Sequence, residues 1–151
     1  MSSKTLEEKR MGIDHLLLHA FTKGAWELLG EGVLPIARAA GKELLELFEK
    51  EGTPIEGNSV EQVLDLLGQK YKEFGLAEGI SNELSDHKLT ITVTKPYDFD
   101  IMQRLDVEGI KPFMSPVVIA TIAALQKAGV KAIFRKMELL DDAIKLEFKL
   151  L

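Results

Sequence analysis

Residues 116–150 read PVVIATIAALQKAGVKAIFRKMELLDDAIKLEFKL, and this stretch decides the fold. Ser115 and Pro116 suit the cap and first turn of a helix. Val117, Val118, Ile119, Ala120, Ile122, Ala123, Ala124 and Leu125 make that helix apolar nearly all round. A helix of this kind is buried, or is covered by a partner. Gly129 ends it, since glycine takes the left-handed backbone at a helix end without a Cβ clash. The period then changes to two: Ile144, Leu146, Phe148 and Leu150 alternate with Lys145, Glu147 and Lys149, as in a strand buried on one face. Val130 to Met137 pairs with Ala143 to Leu150 in a hairpin around Asp141-Asp142.

The same order occurs upstream. Ser59-Val60-Glu61-Gln62 matches a capping box, in which the serine and glutamine side chains satisfy orphan amides reciprocally. Val60, Val63, Leu64, Leu67, Tyr71 and Phe74 follow at helical spacing, and Gly75 closes the helix. Ile80 and Leu84 share one face of a strand that Gly79 and Asn82 weaken. Ser85-Asp86-His87 reads as a turn. Leu89, Ile91 and Val93 then alternate with Thr90, Thr92 and Thr94 until Pro96. The repeat is one of pattern: helix, glycine, strand, acidic turn, strand.

Two helices precede it. One runs from about Gly12 to Leu29, with Ile13, Leu17, Phe21 and Leu28 near helical spacing and Leu16, Ala20, Ala25 and Trp26 widening the stripe. The other starts near Pro35, carries Ile36, Ala40, Leu44 and Leu47 or Phe48, and stops at Gly52. Its small run Ala39-Ala40-Gly41 permits close approach of another helix. A loop spans Thr53 to Asn58, and the irregular segment Tyr97 to Phe113 holds a short helix around Asp100 to Leu105. The expected fold class is α+β: N-terminal helices, then two α-β-β units forming a four-stranded antiparallel sheet with helices packed on one face. Residues 1–11 read as an N-terminal extension, a candidate for mobility, and residues 12–151 as a single domain.

Hydrophobic residues make up 46% and charged residues 28%, which places the chain among globular proteins. The net charge of −5, with basic pairs such as Lys70/Lys72 and Arg135/Lys136 set among acids, argues against a nucleic-acid surface and for solvated faces. The chain has no cysteine, which removes thiolate nucleophiles, disulfides and cysteine metal sites together. Met1 to Arg10 lacks the apolar region of a signal peptide. The run Pro116 to Leu125 falls short of the about 20 residues that span a bilayer. A cytoplasmic location and no membrane span are expected.

His15 and His19, four apart on a helix, share a face and can hold a transition metal. No third ligand accompanies them, and the plainer reading is two histidines on a polar face. His87 belongs to a solvated turn. No metal or cofactor is expected. Tyr97, Asp98, Asp100 and Arg104 offer an acid–base pair, against the plainer role of capping a short helix. Ser59 and Ser115 look like caps, and neither sits in a nucleophile elbow. Gly30-Glu31-Gly32 lies between helices, so it is no phosphate loop. No catalytic residue is assigned. The bulky residues Phe21, Trp26, Tyr97, Phe99, Met102, Phe113 and Met114 are the candidate ligand-binding set, because small-molecule pockets are mostly apolar; the plainer reading makes them core.

Phe21-Thr22-Lys23-Gly24-Ala25-Trp26, Ala40-Gly41, Val63-Leu64-Asp65-Leu66-Leu67-Gly68 and the closing stretch from Pro116 through Gly129 to Leu150 resemble the 4-vinyl reductase (hydrocarbon-binding) domain. More distantly, they resemble the small α+β subunits of vesicle-trafficking tethering complexes. The resemblance implies binding of small apolar molecules and dimerisation. Many domains of that family carry cysteines in the C-terminal half, where this chain has Met114 and Ser115, so no metal-dependent role is carried over. The expected function is a non-catalytic binding or sensing domain for a small apolar or amphipathic molecule, as a homodimer. The alternative is a homodimeric interaction or adaptor module without a ligand.

Overall fold

In the computed structural model, which describes residues 3–52, 54–57 and 59–151, the first helix starts at a threonine cap. The Thr5 hydroxyl accepts the Glu8 amide at 3.1 Å, and Glu7 and Glu8 sit in the first turn, where acidic groups complement the helix dipole. Helix α1 therefore runs Leu6–Leu29, beginning earlier than the apolar period alone suggests. A 3₁₀ turn, Gly30–Val33, leads directly into α2, Leu34–Lys50. Of the expected loop from Thr53 to Asn58, those two residues lie outside the described residues, as do Met1 and Ser2. Ile55 between them is 1% exposed and joins the core.

Helix α3, Val60–Glu73, keeps its serine cap: Ser59 Oγ accepts the Gln62 amide at 3.2 Å. Gly75 follows with φ +70°, a conformation that favours glycine. Strands β1, Gly79–Ser85, and β2, Lys88–Thr94, meet through Asp86-His87, whose φ values of 44° and 64° define a tight primed turn. The irregular segment contains α4, Phe99–Val107. Then come α5, Pro116–Lys127, and the hairpin of β3, Ala132–Leu139, and β4, Ala143–Leu150.

The sheet is four-stranded and antiparallel in the order β1-β2-β4-β3. Both central strands turn one face to the helices. Leu89, Ile91 and Val93 are fully buried opposite Phe148, Leu146 and Ile144. These side chains form one core with Val117, Val118, Ala120, Ala123, Ala124 and Leu125 of α5 and with Val63, Leu64, Leu67 and Tyr71 of α3. Each large aliphatic or aromatic side chain among them contributes about 1.5–3 kcal/mol on leaving water. The Tyr71 hydroxyl ties α3 to α5 through the Val117 carbonyl at 2.8 Å and Thr121 Oγ1 at 2.9 Å. The expected α+β architecture, with helices on one face of the sheet, is what the chain adopts.

Expectations on α2 and at Lys70 differ from the structure. The row of α2 that packs inward is Ala37, Gly41, Leu45 and Phe48, while Ile36 and Leu47 are about half exposed. The cause is Gly41: a Cβ there would run into the backbone carbonyl of Ile119, so α2 turns this glycine toward α5 to let the backbones touch. Lys70 is not on a solvated face. It is 4% exposed, with its amine 3.4 Å from Glu73 Oε2, while Lys72 is exposed.

Candidate functional site beneath the first helix

Helix α1 is apolar on two sides. At about 100° per residue, Leu18, Thr22, Ala25 and Trp26 share one side with His15 and His19. Leu6, Ile13, Leu17, Phe21 and Leu28 share the other. The first side packs on the body. Trp26 and Ala25 lie against Val33, Ala37, Phe113 and Ile119, together with Met114. Trp26 and Leu18 also lie against Ile101, Leu105 and Ile110. Trp26 thus joins two small apolar clusters beside the main core, with its ring centroid 5.8 Å from that of Phe113.

Polar groups lie along the same seam. Asp98, just before α4, is 1% exposed, and neither carboxylate oxygen has a hydrogen-bond partner. It occupies the N-cap position yet its side chain caps nothing. Burial pushes its carboxyl up to about 6; the Ser115 hydroxyl, its own backbone amide and His15 pull the other way, and Asp100 adds to the rise. Ser115 lies close enough to favour the ionised carboxylate, but not in hydrogen-bonding geometry, for its Oγ is also without a partner. His19 Nδ1 is the remaining one. Among the described residues, these three side chains carry every buried polar side-chain atom that lacks a partner.

Tyr97 and His15 close one end of the seam. Their rings meet edge to face at 5.3 Å, and His15 Nδ1 stands 3.8 Å from Asp100 Oδ1. Burial, then the carboxylates of Asp98 and Asp14, holds the Tyr97 phenol protonated well above its ordinary range. A buried polar atom without a partner costs about 1–3 kcal/mol, and native chains keep few of them. A buried carboxyl, a hydroxyl and an imidazole nitrogen are thus left with unused hydrogen-bonding capacity under α1. Among the described residues no group of three His, Cys, Asp or Glu side chains is placed to hold a metal.

The bulky candidate set divides. Trp26, Phe113, Met114 and Tyr97 border the seam. Met102 is fully buried in the main core, and Phe99 packs against that core. Phe21 is 69% exposed on the far side of α1. Of the acid–base set, Asp98 is buried while Asp100 and Arg104 are exposed. The sequence reading placed neither His19 nor Ser115 in the ligand-binding set. Their signals were present: His19 lies two turns before Trp26 on the same face, and Ser115 directly follows Phe113-Met114. Two depressions, of about 600 Å³ beside Val107 and Leu140 and about 490 Å³ beside Lys72 and Lys95, open to solvent elsewhere on the molecule.

The comparisons with known proteins fit a fold carried by nearly the whole chain. Residues 14–150 match the family described as "Putative rubredoxin C-terminal domain", and the chain belongs to that family. This corrects the resemblance to 4-vinyl reductase domains and tethering-complex subunits, which rested on element order and scattered glycines, features shared by unrelated α+β chains. With no cysteine, these residues supply none of the thiolates that hold iron–sulfur centres. An uncharacterized protein of Methanocaldococcus jannaschii is 27% identical over 111 residues, which is 71% of this chain and 68% of that protein. Among solved structures, one described as "Structural insights into the molecular mechanism of H-NOX activation" gives a TM-score of 0.47 at 12% identity, over 99% of this chain and 75% of that one. A mutant of T. Tengcongensis H-NOX gives 0.44 at 13% identity, over 83% and 67%. Likenesses at that level carry no weight for the fold or ligand of this chain. Among the described residues no helix is long and apolar enough to cross a membrane.

Proposed function

We propose that this chain is a non-catalytic binding or sensing domain that receives a small amphipathic molecule in the seam beneath α1. The observation that carries the reading is that, among the described residues, the buried side-chain polar atoms without a partner all belong to His19 of α1, Asp98 just before α4 and Ser115 just before α5. The guest's head donates to Asp98 and hydrogen-bonds with Ser115 and His19. Its apolar body lies along Trp26, Phe113 and Met114. Because burial moves the Asp98 carboxyl up only to about 6, it carries its charge at pH 7, and a basic or hydroxylic head suits it better than a carboxylate, which would add a second buried negative charge. Helix α1 is the movable wall. Besides the apolar contacts of Leu18 and Trp26, it meets α4 through His15 and Asp100 at 3.8 Å and the residue after α4 through the ion pair of Lys23 with Glu108, 3.0 Å and partly exposed, and exposed pairs of this kind are worth only about 0–1 kcal/mol.

Trp26 is the only tryptophan in the chain, which makes its fluorescence a direct reporter of the seam. The test combines two measurements. A native mass spectrum of freshly purified protein, compared with a denatured spectrum of the same sample, reveals mass released on unfolding. Titration with medium-chain aliphatic amines, alcohols and fatty acids then follows Trp26 emission. The expected outcome is a saturable Trp26 response to amines or alcohols, weaker for fatty acids and reduced in Asp98→Asn. A chain with no releasable mass and no Trp26 response to any of the three series refutes the reading.

A further inference from the structure

Six large apolar side chains of α1 face away from the body: Leu6, Ile13, Leu16, Leu17, Phe21 and Leu28 are each between 46% and 85% exposed. With Ala20 and Gly24, five of them form a stripe roughly 100° wide, and Leu16 flanks it about 40° further round. A contiguous apolar patch of this kind marks an interaction surface. We infer that α1 is a homodimer interface, packed antiparallel on α1 of a second copy, with Ile13 opposite the second copy's Gly24, Leu17 opposite its Ala20 and Arg10 opposite its Glu27.

Self-complementarity singles out a second copy as the occupant. The middle of the stripe has a large half, Ile13 and Leu17, and a small half, Ala20 and Gly24, at heptad spacing. A two-fold axis between Leu18 and His19 sets each large residue against a small one, twice over. A Cβ placed on Gly24 would meet nothing within 4 Å, so the hole that Ile13 needs is open. Charge selects the same register. Arg10 and Glu27 are exposed, one toward each end of the stripe. Antiparallel pairing brings Arg10 to Glu27 at both ends, whereas parallel pairing sets Arg10 on Arg10 and Glu27 on Glu27. Residues that contact each other reciprocally are the signature of a two-fold interface. The extent is sufficient as well: a helix of 24 residues is about 36 Å long, and a standard interface covers about 800 Å² per partner, which large side chains exposed along that length can supply.

The absence of native cysteine makes crosslinking unambiguous. Under mild oxidation, a mixture of Ile13→Cys and Gly24→Cys chains forms a covalent dimer, while neither variant alone does so appreciably. Light scattering gives a two-chain mass for the unmodified protein. Leu17→Glu raises the dimer dissociation constant about 30-fold or more, as loss of a central contact does. Ala20→Leu, which fills the hole without adding charge, does the same. Both positions are exposed, so the monomers stay folded, with helical circular dichroism retained. Arg10→Glu weakens the dimer and Arg10→Glu with Glu27→Arg restores it. A single-chain mass at every concentration, a dimer indifferent to Leu17→Glu and Ala20→Leu, or Ile13→Cys crosslinking alone as readily as the mixture overturns the inference.

Discussion

Replacing Asp98 with asparagine should stabilise the protein at neutral pH, although the aspartate is fully buried. The carboxyl is 1% exposed and its side chain makes no hydrogen bond, and burial raises it from the ordinary 3.8 to about 6. The folded chain therefore holds this proton across a range in which the unfolded chain has already released it. Stability falls as pH rises from about 4 to about 6, and above that the cost is complete. At about 1.4 kcal/mol per pH unit, the gap corresponds to about 3 kcal/mol at pH 7. An asparagine side chain matches the protonated acid in shape and neutrality, so Asp98→Asn recovers up to that amount at pH 7 and almost none at pH 4. In a domain of this size the gain appears as a rise in Tm of about 5–10 °C. Paired urea or thermal melts of the two proteins from pH 4 to 7.5 measure it, because the other titrating groups largely cancel in the difference. A variant that melts below the parent at pH 7, or a difference that does not shrink toward pH 4, refutes the claim that an ionised, partnerless Asp98 strains the fold. Retention of so costly a group is understandable if binding uses it, the usual exchange of stability for function.

Three other substitutions probe the frame around the seam. Gly41→Ala sets a methyl group against the Ile119 carbonyl where α2 and α5 touch, and should cost about 1–3 kcal/mol in a urea titration. Changing Asp86-His87 to Asn-Gly relieves positive φ angles of 44° and 64° and should add about 0.5–2 kcal/mol of stability, read as a higher urea midpoint with unchanged slope. Tyr71→Phe removes the hydroxyl between Val117 and Thr121, but Thr121 Oγ1 still donates to the Val117 carbonyl at 2.6 Å. The loss should stay near 1 kcal/mol in thermal melts, and a drop of several would mean the hydroxyl does more than tie α3 to α5.

The sheet and its helices were legible because each rests on a signal that tertiary context does not overrule. Leu89, Ile91 and Val93, like Ile144, Leu146 and Phe148, alternate with polar residues, and a slip of one position would turn all of them to water. Ser59 and Gly75 mark both ends of α3 chemically. The orientation of a helix within a layered fold is less readable. On α2 the apolar period permitted either the row beginning at Ile36 or the one beginning at Ala37. Contact between Gly41 and Ile119, residues far apart in sequence, decided between them.

Helix α1 was hardest for the same reason. Hydrophobicity marked Ile13, Leu17, Phe21 and Leu28 as its strongest stripe, and in a single chain that stripe is the one expected to face the core. In the structure it faces outward, while the side toward the body carries His15, His19 and Thr22 beside Leu18 and Trp26. A side chain's hydropathy gives the cost of leaving it in water; it does not say whether its own domain or another molecule covers it. The polar seam was obscured by the complementary ambiguity. Asp98 and Ser115 stand just before helices, where such residues ordinarily cap. That both instead leave their oxygens without partners depends on which elements fold over them, and helix capping chemistry alone would have assigned them a purely local role.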